Sequence, residues 1–192
     1  MSVAGWTDRI AMRIRRPRDP SHQDLRLAQR NVFVLPTRAG LLYGLVLIAM
    51  LIGSINYLLS LGFALTFLLG GLALLGMLHT FRNLSGLVLR PGRAEPVFAG
   101  QPADVSLMLL NPGRLERFSI RIDTSGSGAG AVADVPPQAQ QLVQLAIATE
   151  RRGPMMMPRL RLSTEYPLGL FRAWAYWQPA IEIIVYTSSQ EG

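Results

Sequence analysis

The sequence predicts a two-helix transmembrane hairpin joined to an all-β, immunoglobulin-like sandwich. Three observations predict it. From Leu41 to Leu78 there is no Asp, Glu, Lys or Arg. That stretch is interrupted by one turn-forming run, Gly53-Ser54-Ile55-Asn56-Tyr57. From Leu84 onward, apolar and polar residues alternate over short runs separated by Pro and Gly.

The helices come first. A span needs ~20 apolar residues to cross ~30 Å of hydrocarbon. Residues 41–78, taken as one helix, would be roughly 57 Å long, nearly twice that thickness. Two helices fit: one from about Ala39 to Gly53 or a little beyond, the other from about Leu59 to Leu78. The pair occupies residues 39–80, with its turn near 54–58, where Gly, Ser and Asn favour a reversal and Asn is costly in hydrocarbon. Tyr43 and Tyr57 then fall near opposite interfaces. Small residues recur four apart: Gly40 and Gly44, Ala49 and Gly53, and Gly62, Thr66 and Gly70. Such spacing lets backbones approach closely. It predicts packing of the two spans on each other, with a homodimer through the spans as the alternative.

Charge sets the orientation. Residues 1–40 hold eight Arg and three Asp, and Arg82, Arg90 and Arg93 follow the second span. The turn carries no charge. Both flanks, and both termini, are therefore expected in the cytoplasm, the turn outside, in a multi-pass arrangement. A cleavable signal peptide does not fit, because the charged region before the apolar stretch would be 40 residues long. Within the basic segment 1–38, Ile10 and Ile14 are four apart, as are Arg9 and Arg13. This suits either a short amphipathic helix on the membrane surface, broken by Pro17 and Pro20, or a basic tail.

The β part is expected over 82–187, with a polar tail at 188–192. Its strand candidates are Ser85–Arg90, Asp104–Leu110, Phe118–Ile122, Leu142–Ala148, Leu160–Ser163, Leu170–Trp177 and Ile181–Tyr186. About seven short strands over roughly 105 residues match an immunoglobulin-like sandwich. With no cysteine, the core must hold by packing.

Composition narrows the chemistry. Hydrophobic residues make up 49% and the mean hydropathy is +0.26, an excess that the apolar stretch accounts for. All 19 basic residues are Arg, which excludes Schiff-base lysine chemistry and a Gly-Lys-Ser/Thr phosphate loop. The net charge of +7 could suggest nucleic acid, but no aromatic-plus-basic stacking motif appears, and membrane-flanking Arg explains the charge. No nucleic-acid partner is expected; the bilayer is. Asp123-Thr124-Ser125-Gly126-Ser127 spells the D-x-S-x-S opening of a metal-dependent adhesion site. The helix that motif requires does not follow, so a Ser/Gly hairpin loop is the reading. His22 lies in the tail, and His79 reads as an interfacial residue. Glu150, Glu165 and Asp123, near Arg151, Arg152 and Arg172, read as ion-pair partners. No catalytic, metal-binding or cofactor-binding residue is expected. The one candidate interaction site is the loop Tyr166-Pro167-Leu168-Gly169-Leu170-Phe171, whose apolar residues either plug an end of the sandwich or meet a partner.

Several stretches carry a family likeness. They are Leu35-Pro36-Thr37-Arg38-Ala39-Gly40, Asn56-Tyr57-Leu58-Leu59-Ser60-Leu61-Gly62-Phe63, Pro96-Val97-Phe98-Ala99-Gly100-Gln101, and Arg151-Arg152-Gly153 followed by Ser163-Thr164-Glu165-Tyr166-Pro167-Leu168-Gly169-Leu170-Phe171-Arg172-Ala173-Trp174. Together they resemble the domain-of-unknown-function 58 family of bacterial membrane proteins. The likeness covers nearly the whole chain. It implies a location in the bacterial inner membrane, with a hairpin, a β-sandwich and then a von Willebrand factor A-like domain. It also implies partners: a MoxR-type AAA+ ATPase and a membrane transglutaminase-like protein. The chain departs from the pattern after Val185-Tyr186, where a polar run from Thr187 to Gly192 stands in place of that last domain. Nothing of the A-like domain's role is carried over.

The expected function is a membrane-anchored, non-catalytic interaction module, which the resemblance would make an adaptor for such an ATPase. Two rivals stand beside it: a remnant that anchors without a partner, and a hydrolase or metal-binding protein.

Overall fold

The computed structural model describes residues 25–27, 31–124, 127–149 and 153–186. The Arg9–Ile14 segment, Glu150, Arg151, Arg152 and the 188–192 tail lie outside them, as do Ser125 and Gly126 of the D-x-S-x-S run. Within the described residues are two long helices and a β region of three sheets.

Helix α1 spans Arg38–Tyr57 and α2 spans Ser60–Leu84. Both are long and apolar enough to cross a membrane. The reversal is tighter and later than the composition suggests. Ser54 does not break α1, because its hydroxyl donates back to the Met50 carbonyl at 2.8 Å. The helix therefore runs on through Asn56 and turns at Leu58-Leu59. Leu58 is left-handed (φ 48°), and its N–H and that of Leu59 both reach the Ser54 carbonyl. Tyr43, expected at an interface, instead donates to the Leu69 carbonyl at 2.8 Å and ties the helices together.

At its other end α2 continues to Leu84, beyond the predicted Leu78. The added turns are amphipathic: Thr80, Asn83 and Leu84 are buried, while Arg82 is exposed. They pack on protein rather than cross hydrocarbon.

The strands are β1 (Leu25–Arg26), β2 (Phe33–Pro36), β3 (Val88–Ala94), β4 (Val97–Phe98), β5 (Ala103–Asn111) and β6 (Arg117–Thr124). They continue with β7 (Ser127–Val135), β8 (Ala139–Ile147), β9 (Gly153–Met156), β10 (Leu160–Thr164), β11 (Phe171–Trp177) and β12 (Glu182–Tyr186). One sheet runs β1-β3-β5-β8, a second β2-β11-β10-β6-β7, and a third β4-β12-β9. The alternating runs become strands with the predicted polarity. In β8, Val143, Leu145 and Ile147 are buried while Leu142 is exposed.

Three expectations change. The β region does not begin at residue 82: β1 and β2 precede the helices, and Leu27 is fully buried in the core. The predicted strand at Ser85–Arg90 shifts to Val88–Ala94, because Gly86 and Leu87 bond to Leu27 across the junction. And twelve strands among the described residues replace about seven. Strand β7, Ser-Gly-Ala-Gly-Ala-Val-Ala-Asp-Val, has little intrinsic β preference; pairing with β6 imposes it. Pro91-Gly92, a pair that favours turns, instead lies at an irregularity inside β3. A Cβ at Gly92 would lie 2.2 Å from the Ser106 carbonyl oxygen, so only glycine fits that approach.

The core draws on all three sheets. Leu89, Val105, Leu107 and Leu109 of the first meet Ile120, Ile122, Leu160 and Leu162 of the second, with Ile183 and Val185 of the third. Large side chains buried this way contribute roughly 1.5–3 kcal/mol each. One core member is imperfect: Trp177 is buried, yet its indole Nε1–H has no hydrogen-bond partner among the described residues. Trp177→Phe removes that unpaired donor along with some volume. Its expected cost is within about 1.5 kcal/mol, against about 3–5 kcal/mol for Trp177→Ala. Comparing the two thermal midpoints checks this.

Candidate functional site

The predicted interaction residues lie on the connection from β10 to β11. Gly169 is in the left-handed region (φ 68°), and its N–H closes the turn on the Glu165 carbonyl at 2.9 Å. The turn carries the loop onto the base of the helical hairpin. The Leu170 carbonyl accepts the Thr37 N–H at 2.9 Å, and Thr37 Oγ1 donates to the Gly169 carbonyl at 2.6 Å. The same Thr37 oxygen caps α1 by accepting the Gly40 N–H at 3.1 Å. Leu168 lies on α2 at Gly76, where a Cβ would sit 2.9 Å from Leu168 Cδ1. The Tyr166 ring lies 4.7 Å from that of Phe118, centroid to centroid. Phe171 starts β11 opposite Pro36 of β2. Pro167 lines the groove described below.

All six predicted residues thus belong to one junction. The loop abuts the hairpin base through Gly169 and Leu170, while Tyr166, Pro167 and Leu168 stay exposed. The residues it meets were not singled out as site residues: Thr37, Gly76, Asn83, Phe118 and Thr164. Asn83 is the centre. It is buried, and its Nδ2 donates to the Phe118 carbonyl (2.7 Å) and to Thr164 Oγ1 (2.8 Å). Its Oδ1 accepts the Phe118 N–H at 3.0 Å. One side chain on the last turn of α2 therefore pairs both backbone groups of a strand residue, as a neighbouring strand would. A signal was present in the sequence, since an uncapped Asn near a helix end calls for a partner.

Beside the loop a groove of 790 Å³ opens over the outer face of the second sheet. Ser119, Arg121 and Asp123 of β6 and Arg161 and Ser163 of β10 form its floor; residues 166–169 form one wall. Arg161 grips Asp123 with two nitrogens, at 3.1 and 3.2 Å. Arg172 pairs with Glu165. Arg121 is exposed and has no ion-pair or hydrogen-bond partner among the described residues. The acids Asp123 and Glu165 are thus ion-paired, as their Arg neighbours imply. The D-x-S-x-S run begins on Asp123 and leads into the β6–β7 hairpin. Among the described residues, no three His, Cys, Asp or Glu side chains gather where a metal could bind.

A second basic cluster lies at the foot of α2. Arg117 donates to Asn111 Oδ1 at 3.3 Å and is half-buried. Burial, and secondarily the charge of Arg82, lowers its pKa below the ordinary arginine range.

No protein-family model matches the chain, and no curated protein matches it in sequence. The family likeness rests on the motifs quoted above.

Proposed function

We propose that the chain is an integral membrane anchor carrying a β module, immunoglobulin-like in its two larger sheets, whose work is to hold or recruit another protein rather than to catalyse. One observation carries the anchoring. Only 6% of the most apolar window of α1 and 11% of that of α2 is buried inside the protein. Leu41, Leu42, Leu45 and Ile48 on α1, and Leu61, Phe67, Leu68 and Leu74 on α2, all face outward. Helices apolar on every side require an apolar surrounding, and a bilayer supplies it. With the Arg-rich flanks inside, both termini and the β module lie in the cytoplasm of a bacterium.

The interaction role draws support from the third sheet. Phe98, Met156, Ile184 and Tyr186 are each about half exposed on it, with the Phe98 and Tyr186 rings 6.4 Å apart. The 166–171 loop is tied to the hairpin base at Gly169 and Leu170, which favours a surface of this kind for a partner. By the family likeness that partner is a MoxR-type AAA+ ATPase, with a membrane transglutaminase-like protein as a further associate.

Alkaline carbonate washing of membranes tests the anchor: the protein stays in the pellet. Release into the supernatant would remove the membrane reading. Affinity isolation from native membranes with and without Ile184→Ser tests the recruiting role. The ATPase is retained by the parent chain and lost with the variant; equal capture by both, or by neither, counts against recruitment through this sheet.

A further inference from the structure

We infer that the groove beside the 166–170 loop binds the headgroup of an anionic phospholipid, with the lipid phosphate on Arg121 and its acyl chain leaving past Leu168. The inference rests on the membrane reading above and locates a specific lipid within it.

Depth is the first argument. Hydrocarbon ~30 Å thick corresponds to ~20 helical residues. Counted from Ser60 at the turn, that reaches about His79, so Gly76 lies roughly 5 Å inside the boundary. Leu168 packs on Gly76 and is itself nearly half exposed. The other helix gives the same depth independently. Counted from Tyr57, Gly40 lies roughly 26 Å along α1, and the Leu170 carbonyl abuts it. Both helices place the tip of the loop at the edge of the acyl layer. The groove whose wall that loop forms therefore opens at headgroup level.

Charge is the second argument. Two of the groove's arginines are committed to carboxylates, Arg161 to Asp123 and Arg172 to Glu165. Those pairs fix the floor and leave Arg121 as the cation available for an anion. Ser163 stands opposite Arg121 in the β6–β10 register, where its hydroxyl can add a donor. A guanidinium with a neighbouring hydroxyl suits a phosphodiester, and the partly exposed Leu168 side chain at the groove wall suits the chain that a lipid phosphate carries.

The test uses the full chain in detergent, titrated with phosphatidylglycerol, phosphatidylcholine and glycerol 3-phosphate, reading bound lipid by native mass spectrometry. The parent chain prefers phosphatidylglycerol over phosphatidylcholine. Arg121→Gln weakens phosphatidylglycerol binding about tenfold, the loss expected of one charge-assisted hydrogen bond. Arg93→Gln, the same charge change outside the groove, leaves it unaltered. An unchanged thermal midpoint of Arg121→Gln in phosphatidylcholine confirms that the variant folds. Equal losses from both substitutions would make the preference a net-charge effect and overturn the site. Saturation by glycerol 3-phosphate at the same concentration would make the ligand a free phosphate and overturn the lipid. A chain that resists carbonate washing yet shows no lipid preference loses only this site; one that washes off loses the membrane reading itself.

Discussion

Asn83→Leu should lower the thermal midpoint of the β region by about 5–15 °C. The side chain makes three hydrogen bonds in a buried setting. Leucine has similar bulk, so packing is roughly kept while Phe118 N–H loses its partner and Thr164 Oγ1 loses a donor. An unsatisfied buried group costs about 1–3 kcal/mol, giving roughly 2–4 kcal/mol here, since the Phe118 carbonyl keeps the Thr164 hydroxyl at 3.3 Å. A chain this size shifts by about 2–4 °C per kcal/mol. Asn83→Asp should be at least as damaging: it keeps the acceptor for Phe118 N–H, loses both donations and buries a charge. The midpoint can be followed by fluorescence of Trp174 and Trp177, which sit on β11 next to the strand that carries Thr164. An Asn83→Leu midpoint within 2 °C of the parent would mean that the hairpin is not anchored to the sheet through this residue.

The second large effect separates two glycines that look alike in sequence. A Cβ on Gly40 would sit 2.0 Å from the Leu170 carbonyl oxygen and 3.0 Å from its carbon. Those are backbone atoms, already fixed by the Thr37 N–H. A Cβ on Gly76 would sit 2.9 Å from Leu168 Cδ1, the free end of a flexible side chain. Gly40→Ala must therefore push α1 off the loop, costing about 1–3 kcal/mol or more. Gly76→Ala needs one leucine to change rotamer, and helix propensity returns up to about 1 kcal/mol. Protease accessibility of the 166–170 loop is the sharper readout: it rises strongly in Gly40→Ala and hardly in Gly76→Ala. Equal protection of the two would contradict the close approach.

How much of this was legible beforehand depends on the range of the forces involved. The hairpin and the alternating strands were readable because their signals are local: an uncharged stretch, a period of two, and turns at Asn111-Pro112-Gly113 and Pro136-Pro137. The six loop residues were readable as a site because apolar residues beside turn formers need a cover. What covers them was not. Thr37 and Leu170 are 133 positions apart, and Asn83 and Thr164 are 81 apart; no window along the chain contains either pair. The small-residue spacing shows the same division. Gly62 does serve the hairpin, since a Cβ there would sit 2.3 Å from Ser54 Oγ. Gly40 has the identical spacing to Gly44 but faces the β region, while Gly44, Gly53 and Gly70 face open space. Spacing marks where approach is permitted; only the tertiary structure says what approaches.

The placement of β2 before the helices and β11 near the far end of the described chain has a consequence for the order of synthesis. Residue 36 leaves the ribosome long before its partner at 171. At about 5–20 residues per second, the 133 positions separating Thr37 from Leu170 take roughly 7–27 s. The apolar hairpin is complete at Leu84, with the larger part of that interval still to run, while Phe33, Val34 and Leu35 have no strand to pair with. On the membrane reading proposed above, insertion of the hairpin precedes closure of the second sheet. The membrane would then hold the early strand close to the helix base, and the late-made β11 would find it in place rather than free in solution.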